Sequence, residues 1–61
     1  MGKKVLIVDD SALMRAYIKR ILARQGYSII GEASTGSEAV DKYRKLKPNV
    51  ATINLNMLLL L

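Results

Sequence analysis

Short apolar runs alternate with longer amphipathic segments along this chain of 61 residues. The first run, residues 5–8, is continuous and rich in β-branched side chains, which is typical of a strand buried on both faces of a parallel sheet. Two further apolar segments cover residues 27–33 and residues 50–55. We therefore predict three strands, separated by two segments that are long enough to form helices.

The first of these segments has the periodicity of an amphipathic helix. Its apolar residues fall on one stripe of a period of about 3.6 residues, and they are Leu13, Met14, Tyr17, Ile18, Ile21 and Leu22. We predict a helix over residues 11–25, capped by the side-chain oxygen of Asp10 or Ser11. Gly26 follows where a left-handed residue commonly ends a helix.

The second segment begins with a capping box. Thr35 is followed three residues later by Glu38, so each side chain can accept a hydrogen bond from a backbone N–H near the other residue. Pro48 ends the predicted helix, because proline disfavours helical geometry in the residue before it. The apolar face of this helix consists of Ala39, Val40, Tyr43 and Leu46.

The order strand, helix, strand, helix, strand predicts an α/β fold, a βαβαβ unit with right-handed crossovers and parallel strands in the order 2-1-3. Ligands of such sheets bind at the carboxyl ends of the strands. Asp9 and Asp10 directly follow the first strand, and Asn54 lies near the end of the third, which should adjoin the first. Two adjacent carboxylates repel each other, so we expect a hard cation such as Mg²⁺ to offset their charge.

The charge of the chain raises the alternative of a nucleic-acid or anion binder. Ten Lys and Arg residues against five Asp and Glu residues give a net charge of +5. These basic residues are spread over both predicted helices, however, and the sequence has neither helix-turn-helix spacing nor an aromatic stacking platform. We therefore favour solvated helix faces over a nucleic-acid interface.

Composition points to a partner rather than to a membrane. Hydrophobic residues make up 51% of the chain, which is rich for this length and suggests surplus apolar surface. No cysteine is present, so disulfides and thiolate metal sites are excluded. No signal peptide is apparent, and the terminal leucines are far fewer than the roughly 20 apolar residues that span a bilayer. We expect a cytoplasmic protein that does not enter the membrane.

Three stretches, "VLIVDDSALMR", "GYSIIGEASTGSEAV" and "KPNVATINLNM", resemble the first half of a response-regulator receiver domain, in particular the single-domain chemotaxis regulators. The resemblance runs without gaps up to Met57. It implies a flavodoxin-like fold, two-component signalling and a histidine kinase as partner. It also implies that Asp9 and Asp10 hold Mg²⁺, with a backbone carbonyl from Asn56. The position of the phosphoryl-accepting aspartate is occupied by Asn54.

The departures from the family pattern lie at the end of the chain. Asn54 has a neutral carboxamide, which is a very poor nucleophile and brings one negative charge fewer to a metal. Leu58 stands where the family usually has proline, and three leucines follow it. The family's later strands, with their hydroxyl residue and lysine, have no counterpart in this sequence. We predict a truncated, altered and engineered half-domain over residues 1–57, a leucine-rich extension over residues 58–61, and no enzymatic activity.

These departures also weaken the expected metal site. We expect at most weak, vestigial Mg²⁺ binding by Asp9, Asp10 and Asn56, and no required cofactor. The competing interpretation is that the two aspartates only cap the following helix and contact solvent.

Our leading functional prediction is self-association into a homodimer. In the order 2-1-3 the third strand is a sheet edge, whose unpaired backbone groups can pair with another chain. Direct edge pairing and exchange of the leucine-rich ends both remain open as geometries. The alternatives are a Mg²⁺-binding receiver that needs a complementary half, and the basic nucleic-acid or anion binder. The predicted interface residues are Val50, Ile53, Leu55, Met57, Leu58 and Leu59.

Overall fold

A computed structural model describes residues 2–54 of the chain. The predicted order of elements is confirmed, since three strands alternate with two helices in one βαβαβ unit. The sheet has the order β2-β1-β3, and both strand pairs are parallel. The predictions that concern Leu55, Asn56, Met57 and residues 58–61 lie outside the described residues. The elements are β1 (Lys4–Val8), α1 (Ala12–Arg24), β2 (Ser28–Ala33), α2 (Gly36–Leu46) and β3 (Val50–Ile53).

The central strand β1 carries the core. Its last four residues are at most 2% exposed, as the continuous apolar run predicted. Side chains alternate between the two faces of a strand, and Leu6 and Val8 pack with Ala33 on the face that contacts Ala39 of α2 and Ala51 of β3. Crossovers between parallel strands are right-handed as a general rule, and in the order β2-β1-β3 this hand places α1 and α2 on opposite faces of the sheet. Both helices pack against β1 and β2.

The predicted helix ends are largely confirmed. Ser11 is the N-cap of α1, and its hydroxyl accepts a hydrogen bond from the backbone N–H of Met14 at 3.2 Å. Gly26 follows this helix with a positive φ of 92°. Thr35 caps α2 in the same way, through the backbone N–H of Glu38 at 3.1 Å. The Glu38 carboxylate, however, accepts from the backbone N–H of Ser34 at 2.6 Å, one residue before the expected partner.

The third strand is shorter than predicted. We expected a strand over residues 50–55, but β3 ends at Ile53 and Asn54 lies beyond it. The reason is that β3 pairs with β1 only opposite Val5–Val8. Among residues 2–54, the final hydrogen bond of this pairing runs from the Asn54 backbone N–H to the carbonyl of Val8, at 3.1 Å.

An apolar groove opens beside α2, because α2 packs mainly over β2 and β1 and leaves Ile53 of β3 exposed. The groove has a volume of about 190 Å³. We call it the α2 groove. Its apolar lining consists of Leu6, Val8, Ala39, Val40, Tyr43, Ala51 and Ile53.

Candidate site at the carboxyl end of the sheet

The ends of β1 and β3 bring Asp9 and Asn54 together. Because these strands are parallel neighbours, the residues that follow them meet at the same edge of the sheet. The Asn54 side-chain nitrogen Nδ2 donates a hydrogen bond to the Asp9 carboxylate oxygen Oδ2 at 3.3 Å. The expectation that Asn54 lies close to Asp9 agrees with this contact. Asn56, the third predicted metal ligand, lies outside the described residues.

The two adjacent aspartates have different surroundings. Asp9 is buried, with 4% of its surface exposed, whereas Asp10 is exposed to solvent. The Asp9 oxygen Oδ1 accepts a hydrogen bond from the backbone N–H of Ser11 at 2.9 Å. This bond is the main cause that lowers the pKa of Asp9, and the Asn54 amide and the Arg15 charge lower it further against the opposing effect of burial. A side-chain hydrogen bond with Asp10 also contributes to lowering the pKa of Asp9.

Arg15 belongs to this site, and the sequence analysis missed it. We assigned the basic residues of α1 to a solvated face, but the Arg15 side chain is half-buried. Its Nη1 donates to the backbone carbonyl of Asp9 at 2.6 Å, and its Nε donates to the Glu32 carboxylate at 3.1 Å. One signal was available: a cation in the first turns of a helix opposes the helix dipole, which indicates a specific partner.

Glu32, near the end of β2, contacts two further basic side chains. Lys42 of α2 donates through Nζ to the backbone carbonyl of Glu32. The Lys19 ammonium lies 3.7 Å from the Glu32 carboxylate, a partly exposed pair that contributes little to stability. Together with Arg15, these contacts connect both helices to the carboxyl end of the sheet.

Within residues 2–54, the group that contacts the Asp9 side chain from beyond β3 is a hydrogen-bond donor and not a metal ligand. This donor is the Asn54 Nδ2 group, whereas Mg²⁺ and Ca²⁺ require oxygen ligands. Within residues 2–54, no three acidic, histidine or cysteine side chains come together as a metal-binding group. The Asp9 carboxylate is hydrogen-bonded inside the chain, and weak Mg²⁺ binding by Asp9, Asp10 and Asn56 stays a prediction.

Because the pKa of Asp9 is lowered in the folded state, the free energy of unfolding depends on pH in the acidic range. A carboxyl whose pKa is lower in the folded state contributes stability that is complete above its unfolded pKa, about 3.9. We expect this contribution to be lost as the pH falls below that value and passes through the folded pKa. Urea unfolding at a series of pH values from neutral to acidic measures this contribution. Asp9→Asn should lose less stability on acidification than the unmodified chain, and an equal loss in both would contradict the assignment.

Comparison with known proteins identifies the family. The response regulator receiver domain family matches residues 5–59. The chain is 53% identical over 57 residues to the chemotaxis protein CheY of Thermotoga maritima and 42% identical over 57 residues to that of Bacillus subtilis, covering 93% of this chain in each case. It is 48% identical over 54 residues, 88% of this chain, to a protein-glutamate methylesterase/protein-glutamine glutaminase of Archaeoglobus fulgidus. The chain belongs to the response regulator receiver family.

These relatives are longer proteins. The chain spans 48% of the length of each of the two CheY proteins and 16% of the methylesterase. In the part of the chain that the structure describes, neither helix has the length and apolar character to cross a membrane. Of the predicted interface residues, Val50 and Ile53 lie on β3 and are exposed. The other four lie outside the described residues.

Proposed function

We propose that the 61-residue chain is a receiver-type assembly unit, which binds a second copy through the α2 groove and the outer edge of β3 and does not accept a phosphoryl group. The observation that carries this proposal is the groove itself. Tyr43, Val40 and Ile53 line it, and each leaves about half of its surface exposed in the single chain. Contiguous apolar surface of this kind is a mark of an interaction site.

The outer edge of β3 adjoins the groove and supports the same interface. Among the described strands, β3 pairs with β1 alone, so the backbone groups on its other side are available to a partner strand. Two such edges that pair across a two-fold axis perpendicular to the sheet run antiparallel. A two-fold dimer also buries the same patch on both copies.

The dimensions of the molecule agree with a dimer interface. It measures 32 × 24 × 14 Å, a slab whose broad faces are large for its volume. A stable interface buries about 800 Å² on each partner, which is comparable to one broad face of this slab. The small core on β1 gives the single chain little stability of its own, so burial of the groove would add a large share.

Two alternative functions have weaker support. The relatives are longer, so a complementary segment that covers the α2 groove is the second candidate, with the chain as a Mg²⁺-binding half of a receiver. Binding to nucleic acid has less support than composition suggested. Arg15 and Lys42, two of the ten basic residues, donate to carbonyl and carboxylate groups of the chain itself.

Self-association should make the thermal midpoint rise with protein concentration. A dimer that is more stable than its separated chains gains stability by mass action. About a forty-fold increase in protein concentration adds about 2 kcal/mol, and a chain of this size shifts by about 4–8 °C for each kcal/mol. Circular dichroism during heating measures the midpoint. An unchanged midpoint across that range would contradict the proposal.

The proposal also predicts that phosphodonors do not label the chain. Incubation with acetyl phosphate and Mg²⁺ should add no phosphoryl group, because a carboxamide at position 54 is a very poor nucleophile. Intact-mass spectrometry measures the outcome. Asn54→Asp is the matched control, since it restores a carboxylate at this one position. Labelling confined to the variant agrees with the proposal, whereas labelling of the unmodified chain at the end of β3 refutes it.

A further inference from the structure

We infer that the Asn54 carboxamide is the counter-group of Asp9 in place of a divalent cation, so that the acid pocket is satisfied without metal and Mg²⁺ does not stabilise the fold. This inference rests on the contact between the ends of β1 and β3. It does not depend on self-association, because both residues belong to the same chain.

Each oxygen of the Asp9 carboxylate has an N–H donor. Oδ1 accepts from the Ser11 backbone at 2.9 Å, and Oδ2 accepts from Asn54 Nδ2 at 3.3 Å. A buried carboxylate is costly unless hydrogen bonds or a counter-charge compensate for the water that it loses. Asp9 is 4% exposed, and these two donors meet that requirement from inside the chain.

The orientation of the amide follows from the charge of its neighbour. The Asn54 nitrogen can donate to the Asp9 carboxylate, whereas the amide oxygen in the same place would repel it. Mg²⁺ bound at Oδ2 would face this N–H group and would have to displace it. A carboxylate at position 54 would reverse the interaction, because a second negative charge beside Asp9 is repelled unless a cation offsets it. The residue at position 54 therefore decides whether this pocket needs metal.

Arg15 supplies positive charge on the other side of Asp9. Its guanidinium donates to the Asp9 backbone carbonyl at 2.6 Å and is held there by the Glu32 carboxylate at 3.1 Å. The guanidinium charge contributes to lowering the pKa of Asp9, so the ionised carboxylate is stabilised without a metal ion. Ser11, Asn54 and Arg15 thus share the role that a cation would have.

Thermal unfolding with and without about 10 mM Mg²⁺ tests this inference on three chains. The comparison is made at one ionic strength and one protein concentration. The unmodified chain should show no change in its midpoint. Asn54→Asp should have a lower midpoint without metal and should recover about 5 °C or more with it. Asn49→Asp is the matched control at the opposite end of β3, where the Asn49 side-chain oxygen accepts from the Lys4 backbone at 2.8 Å. It should not respond to Mg²⁺.

A second measurement covers the case in which Asn54→Asp does not fold. Nuclear magnetic resonance of the unmodified chain follows the Asn54 side-chain amide during a titration with Mg²⁺. Its resonances should not move. A saturable shift would overturn the inference. The inference would also fail if Mg²⁺ raised the thermal midpoint of the unmodified chain as much as that of Asn54→Asp. It would fail as well if a folded Asn54→Asp variant did not respond to Mg²⁺.

Discussion

Leu6→Ala should leave the chain largely unfolded at room temperature. Leu6 lies at the centre of β1 with 0% of its surface exposed, and it packs with Val8 and Ala33. Removing a buried leucine side chain in this way costs about 2–5 kcal/mol. The core of a chain this small rarely supplies more than about 3–5 kcal/mol in total, so the substitution removes most of the stability. Far-ultraviolet circular dichroism should show loss of the helical signal.

Leu13→Ala is the matched control for this experiment. The same side chain is removed, but Leu13 lies on α1 with 79% of its surface exposed. Alanine also has a higher helix propensity than leucine. We expect the free energy of unfolding to change by less than about 0.5 kcal/mol. Equal destabilisation by both substitutions would show that β1 is not the centre of the core.

Tyr43→Lys should convert the proposed dimer into monomers. Tyr43 lies on α2, lines the α2 groove and is 51% exposed in the single chain. A lysine ammonium buried in an apolar interface loses its hydration without a partner. Loss of a central aromatic contact commonly costs about 2 kcal/mol or more, which weakens association by about 30-fold. Sedimentation velocity measures the change in the dissociation constant.

Tyr17→Lys makes the same substitution on the other face of the sheet. Tyr17 lies on α1 and is 57% exposed, so it matches Tyr43 in residue type, in exposure and in its position on a helix. We expect this variant to remain dimeric. If the Tyr17→Lys variant were monomeric and the Tyr43→Lys variant dimeric, the interface would lie on the α1 face instead. If both variants remained dimeric, neither face could be the interface.

The topology could be predicted from the sequence because it depends on general rules. A short apolar run rich in β-branched residues, such as residues 5–8, is typical of a fully buried strand. Connections that contain a helix join parallel strands by right-handed crossovers. The same rules predicted that Asn54 would lie near Asp9, since the ends of adjacent parallel strands share an edge. The caps at Ser11 and Thr35 were predictable because they depend on neighbours within the same turn.

The chemistry of the site could not be predicted in the same way. Nothing in the sequence distinguishes Asp9 from Asp10, because their burial depends on how the first turn of α1 leaves the sheet. The role of Arg15 depends on Glu32, which lies 17 residues away in the sequence. The end of β3 at Ile53 follows from the length of β1 rather than from local propensity. The predictions for the leucine-rich end, including its engineered origin, remain predictions.

Sedimentation equilibrium of the unmodified chain is the most direct test of self-association. One chain has a mass of 6.8 kDa. At micromolar concentration and above, we expect a mass of twice that value, with the secondary structure decreasing as dilution separates the copies. A mass of 6.8 kDa at every concentration, together with an unchanged circular dichroism spectrum, would show that the chain folds alone and would contradict the proposed dimer.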